Sequence, residues 1–395
     1  MASRIKLPLF LVLSIFLPAH LFAVGFRLIE VDSFALARGE AFTATADNPS
    51  AVYYNPAGIT QLEGLSARFT LFGIYADDRL RLKGEEDTHT VDTLQAVPTF
   101  FATFKPANSR FAFGLGTYAP YGLGLEWPDE SPFRTIGRIG DLLYLCVNPV
   151  VAVELTKGLS IAVGPTFNYS QVKRETGIAV PGDTFKYKGS GTDFGFTAGI
   201  LWQPFSQHSF GISYHSATDI GYSGHSTIDL PHYHLREMGH TELHFPQFVR
   251  AGYSFRPTPE WNLEFNVDWT DWDSLNTLTL HNDTTGDAKI PFKWKSSLLY
   301  EFGATRYFSH GFHASAGYIY SQNSVPDSVY NPLVPDSGRH IFSAGFGGKL
   351  MQNFTWDLAY QFIYGTSRTI HIGANTDGTY RLVAHGVSLS VGRQF

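Results

Sequence analysis

The sequence predicts an all-β fold, a 14-stranded antiparallel transmembrane β-barrel with an N-terminal hatch, or plug, inside its lumen. Three observations carry this. Segment after segment alternates apolar and polar residues with aromatic ends, as in Trp261, Leu263, Phe265, Val267 and Trp269 against Asn262, Glu264, Asn266, Asp268 and Thr270. The links between such segments are alternately tight and long. The forty or so residues before the first segment are irregular, yet too apolar for a disordered tail. Composition agrees: aromatics make up 15% of the chain, Gly occurs 38 times and charged residues are only 16%, against about 25% in soluble domains.

Residues 1–23 carry Arg4 and Lys6, then LPLFLVLSIFLPAHLF, then the small Ala23. A positive flank, a short apolar run and a small residue are the features of a secretory signal peptide, which implies export. No later stretch reaches the 18 or more apolar residues of a membrane-spanning helix. The NPA tripeptide at 55–57 therefore does not indicate an aquaporin-like helical channel. Cys146 stands alone, so an exported chain of this size folds without an internal disulfide.

Residues 24–64 come next. Within them NPSAVYYNPAG combines Pro56, which fixes its own φ, Asn55, pushed toward extended geometry before it, and Gly58, which permits a positive φ. Phe26, Leu28, Phe34, Leu36, Phe42, Tyr53 and Tyr54 in this stretch need burial, and a fourteen-stranded barrel has a lumen wide enough to require filling.

Residues 65–395 form the barrel. Strands are expected near 65–77, 93–105, 109–119, 141–155, 159–171, 190–203, 208–218, 245–256, 260–273, 292–307, 311–323, 340–350, 353–367 and 382–395. Tight links such as PANS, LTKG and FSHG fall on one rim, assigned to the periplasm, and the long links, including 119–140, 218–244 and 274–291, on the other. Closure satisfies every strand edge within lipid. Phe354, Trp356, Leu358, Tyr360 and Phe362 are expected to face lipid, as are Trp294, Ser296 and Leu298. Prolines 98, 149 and 165 interrupt strands, where each removes a ladder donor and opens the wall locally. The last strand, with Val387, Leu389, Val391 and terminal Phe395 on one face, resembles the signature read by barrel-assembly machinery.

The stretch GFRLIEVDSFALARGEAFTATADNPSAVYYNPAGITQLEG resembles the N-terminal hatch of the FadL family of outer-membrane long-chain fatty-acid transporters, and Gly122 to Trp127 resembles that family's loop after the third strand. Gly25, Phe26, Asn55, Pro56 and Ala57 stand at the family's Gly-Phe and Asn-Pro-Ala positions. The resemblance implies a monomeric barrel in the cell outer membrane, a hatch that blocks straight passage, capture of a hydrophobic substrate (a fatty acid or aromatic hydrocarbon) by outer loops, and sideways exit through a kinked strand. Asn55, Pro56, Ala57 and Gly58 are then the hatch motif. A lumen for apolar molecules needs apolar contacts with few polar groups. Phe72 and Ile74 are expected inward, opposite Phe69 and Leu71. Tyr118, Tyr121, Leu123, Leu125, Trp127 and Phe133 are the candidate capture groove, weighed evenly against a packed cluster that holds the loop shut. Arg68, Arg250 and Lys295 are candidate lumen cations for a carboxylate, with pairing to lumen acids such as Glu264, Asp268, Glu301 or Asp357 as the plainer fate.

Two other functions compete: a general diffusion porin for small polar solutes, and a surface receptor or adhesion barrel. A net charge of −6 gives no support for a nucleic-acid partner. No enzyme is expected, since His385 and Ser388, like His215 and Ser216, point to opposite faces of their strands. His225, His232, His234, His240 and His244 crowd one outer stretch but lack Cys or helical spacing, so neither a metal nor a cofactor is assigned.

Overall fold

The computed structural model describes residues 25–82, 87–91, 94–351 and 353–395. The expected signal peptide, residues 1–23, lies outside the described residues. Among the described residues the chain closes a single antiparallel barrel of fourteen strands, in which the first, Gly64–Arg81, pairs with the last, Gly378–Gln394, from Ser66↔Gln394 to Arg81↔Thr379. Closure is what lipid requires, because no unpaired edge remains to be hydrated. No helix among the described residues is long and apolar enough to cross a membrane.

Two-residue alternation places the chemistry. Phe69, Leu71, Phe113, Phe265, Val387 and Leu389 are exposed on the outer wall, while Thr70, Phe72, Ile74, Glu264, Asp268 and Ser388 are buried inside. Strands four to six are Ile139–Thr156, Leu159–Thr176 and Thr184–Phe205. Between the fourth and fifth, the register runs to Val147↔Phe167 and resumes at Val151↔Val163. Pro149 and Pro165 lie in this gap, where the Asn148 amide donates to the Pro165 carbonyl at 2.9 Å. These two prolines open the ladder as expected. Pro98 stays in register opposite Leu71.

The outer rim differs from expectation. The stretch 218–244 is a long hairpin rather than a loop: Thr218–Leu230 extends the seventh strand, His208–His215, and pairs throughout with Tyr233–Phe245, which leads into Phe248–Phe255 of the eighth. Likewise Thr277–Asn282 and Gly286–Pro291 carry the ninth and tenth strands, Trp261–Thr270 and Ser297–Tyr307, beyond the membrane. Strands above lipid have no apolar outward face, so the alternation that marks the others is missing.

Candidate functional site

The N-terminal segment is buried against the inner wall. Asp32 caps the short helix Ser33–Ala37 by accepting from the amides of Phe34 at 3.0 Å and Ala35 at 3.2 Å. Ala51–Tyr54 makes one further turn, and Pro56 opens the 3-10 stretch Pro56–Gln61. Asn55 explains the motif between them. Its amide nitrogen donates to the Thr43 carbonyl at 2.9 Å and to the Ile200 carbonyl of the sixth strand at 3.0 Å, while its side-chain oxygen accepts from Ala57 N at 3.2 Å. One side chain thus satisfies the segment's own backbone and ties it to the wall. Gly199 permits this contact, since a Cβ there would stand 2.4 Å from the Asn55 oxygen. Gly58 serves differently from expectation: its φ is not positive, and its lack of a side chain admits the Ala46 carbonyl, which a Cβ would meet at 2.3 Å.

Buried ion pairs fasten the segment. Both terminal nitrogens of Arg27 reach Asp268, at 2.7 and 2.6 Å, and the Arg27 guanidinium lies 3.6 Å from the Phe248 ring centroid. Arg250 reaches the same carboxylate at 2.7 Å and donates to the Tyr53 hydroxyl at 2.9 Å. Arg68 pairs with Asp32 and, at 2.7 Å, with Asp357, which also meets His313 at 2.7 Å. Glu264 accepts from the amides of Ala44 at 2.8 Å and Thr45 at 3.0 Å. Arg68 and Arg250 are therefore inward, with their charge neutralised by acids. Lys295 is not a lumen cation: residues 292–296 leave the strand, so Trp294 turns inward to 4% exposure and Lys295 faces solvent.

Above this segment lies an apolar cavity. Its floor is Phe26, held edge-on to Trp272 at 4.8 Å and packed against Trp294 at 5.4 Å, Phe245 at 5.9 Å and Tyr121 at 6.1 Å. Leu123, Leu142, Leu243, Leu280 and Leu333 line the walls of about 870 Å³ of empty space, mouth included. A few charged groups also line it. Lys173 approaches Asp141 at 3.5 Å, and Arg174 donates to the Ile136 carbonyl at 2.6 Å.

The aromatic loop residues divide. Leu123 lines the cavity, Tyr121 packs against its floor and Leu125 is buried in the wall. Tyr118 lies lower, donating to Asn148 at 3.1 Å with its ring 4.9 Å from that of Tyr53. Trp127 and Phe133 meet edge-on at 5.0 Å, and the Trp127 indole donates to the Pro332 carbonyl at 2.9 Å. They are fully buried and pin one outer loop to another, so they form the packed cluster rather than a groove. The same loop carries Arg134, which pairs with Asp183 at 2.9 Å. Desolvation of Asp183 is outweighed by hydrogen bonds from the amides of Ile178, Val180 and Ala179 and from Arg134, which hold its carboxyl well below the usual range.

The third strand breaks beside the cavity floor. Phe111–Tyr118 stops, Gly122–Glu126 resumes, and the N-terminal segment occupies the break: Leu28 N donates to the Pro120 carbonyl and Gly122 N to the Phe26 carbonyl, each at 2.9 Å. Sequence reading missed Phe245, Trp272, Leu243, Leu280 and Leu333. The Leu278, Leu280 alternation was the one available signal.

This geometry has counterparts. The chain matches the family of outer membrane protein transport proteins (OMPP1/FadL/TodX) over residues 15–395. It is 24% identical to Outer membrane protein P1 of Haemophilus influenzae, covering 87% of this chain and 86% of that one. It is 22% identical to the Long-chain fatty acid transport protein of Escherichia coli K12, covering 94% of each. The fold resembles a Pseudomonas aeruginosa FadL homologue, with a TM-score of 0.84 at 19% identity over 94% of this chain and 100% of that one. It also resembles the Pseudomonas putida toluene transporter TodX, at 0.77 and 13% over 94% and 100%. The chain belongs to the OMPP1/FadL/TodX family of outer membrane transport proteins.

Proposed function

We propose that the barrel carries hydrophobic small molecules inward by capture in the apolar cavity and diffusion past a hatch formed by residues 24–64, within a barrel of residues 65–395. The cavity carries the reading. A predominantly leucine- and aromatic-lined space, with Asp141, Lys173 and Arg174 among its few polar lining groups, gains about 0.8 kcal/mol for each CH2 it removes from water and favours an apolar molecule over a small polar solute. Relatives named for long-chain fatty acid and toluene transport support a substrate among fatty acids and aromatic hydrocarbons. Asn55, Pro56, Ala57 and Gly58 hold the hatch to the wall. The break at Ala119–Tyr121 is the proposed sideways exit, closed by residues 26–28 in this conformation. Buried Leu36, Phe42, Tyr53 and Tyr54 fill the lumen at hatch level, which favours this reading over a diffusion porin. In the same reading the chain works as a monomer inserted by barrel-assembly machinery, with outer-membrane lipid around it, no cofactor and no enzymatic role.

A single charge tests the cavity. Leu243 is buried on its wall, so Leu243→Glu places an unpaired carboxylate where the substrate's hydrocarbon would sit. Uptake of radiolabelled long-chain fatty acid or toluene by cells is expected to fall at least about tenfold, a loss of some 1.4 kcal/mol. The heat-modifiable gel band of the folded barrel should persist at normal abundance. Uptake unchanged for both compounds would remove the cavity from the pathway.

A further inference from the structure

We propose that His240 and His281 form a two-imidazole site for a divalent transition-metal ion, Zn2+ or Cu2+, on the exposed face of the barrel's outer extension. Four adjacent strand segments carry it. Their registers pair Ser223↔His240, His240↔His281 and His281↔Asp287, so four side chains stand in one row across the sheet. Directly opposed residues have Cβ atoms about 4.5–5.5 Å apart, a span that two imidazoles can close around one ion.

The ends of the row orient its middle. Asp287 Oδ1 lies 2.8 Å from His281 Nδ1, and Ser223 Oγ lies 3.1 Å from His240 Nδ1. A carboxylate that accepts a hydrogen bond from Nδ1–H keeps the proton on Nδ1 and leaves the lone pair on Nε2, the arrangement found behind metal-ligating histidines. The serine hydroxyl occupies Nδ1 of the second ring in the same way. Both rings are exposed, and Glu242 stands two residues beyond His240 on the same exposed face. Among the described residues no three His, Cys, Asp or Glu side chains converge on a metal-sized site, and the proposed shell is the two imidazoles completed by water.

The position gives the ion a structural consequence. The ladder between Tyr233–Phe245 and Thr277–Asn282 registers at only two pairs, Gly239↔Asn282 and His240↔His281. Residues alternating with the row, Tyr222, Thr241 and Leu280, line the apolar cavity on the other face. An ion on the two histidines would staple this short seam from outside.

The test uses purified full-length chain in detergent, titrated calorimetrically with ZnCl2, and with CuSO4 followed by electron paramagnetic resonance. Wild type should take one ion per chain, with a two-nitrogen copper spectrum. His240→Ala and His281→Ala should each weaken binding at least about tenfold and abolish that spectrum. Asp287→Asn should weaken it by roughly 10–100-fold through ring orientation. His232→Ala with His234→Ala should leave it unchanged. All substituted side chains are exposed, and heat-modifiable mobility confirms folding in each case. Wild-type affinity in the His240→Ala, His281→Ala double variant, or no stoichiometric binding at all, overturns the site.

Discussion

Deletion of residues 25–58 is expected to turn a closed barrel into one that conducts ions continuously in planar bilayers. The strand backbones pair with one another around the whole ring and, among the described residues, bond to the N-terminal segment's backbone only beside the break in the third strand, so the barrel should still fold and keep its heat-modifiable mobility. Much of what remains inside at the segment's level is polar. Glu264, Asp268, Asn262, Asn266, Arg250 and Ser388 face the lumen, and without the segment they would line water. A fourteen-stranded barrel is wide enough for a water-filled path once emptied. Unchanged conductance in a folded deletion variant would show that the segment does not close the lumen.

Asp268→Ala should have the next largest effect. Its carboxylate holds both Arg27, beside the cavity floor, and Arg250, on the eighth strand, and all three are fully buried. Removing it leaves two guanidinium groups without their counter-ion, a cost of about 3–5 kcal/mol for a broken buried pair. The wall has its own hydrogen-bonded ladder, so the cost should fall on docking of the N-terminal segment, shifting release by roughly a hundred- to a thousandfold or more. The readouts are faster hydrogen exchange at residues 26–32 and intermittent conductance. Asp268→Ala exchanging like wild type would show that neither arginine anchors the segment.

The sequence was most legible where lipid imposes a rule. In Phe354–Gly365 the alternation put Asp357, Ala359 and Gln361 inside and Tyr360 outside, as found, because a membrane strand has one face for hydrocarbon and one for the lumen. Where that constraint ends, the rule fails. Thr218–Leu230 and Tyr233–Phe245 extend above the membrane with no required apolar face, and so read as a loop. Residues 292–296 keep the composition of a strand but leave the ladder, which turns Trp294 into the aromatic cage and Lys295 out to solvent. The same limit hid the cavity. Leu123, Leu243, Leu280 and Leu333 come from four places far apart in the chain, and only closure of the ring brings them together. Asn55 was legible for the opposite reason, because Asn-Pro restricts its own backbone whatever lies around it. Its partner Ile200, 145 residues away, was not.

The most direct test of the central claim is paired uptake by intact cells with and without the chain, using a radiolabelled long-chain fatty acid or toluene beside a small polar sugar. A hydrophobe-selective cavity above a closed lumen predicts faster entry of at least one hydrophobic compound and no change for the sugar. Faster entry of the sugar, with neither hydrophobic compound accelerated, would contradict the account and identify a polar pore.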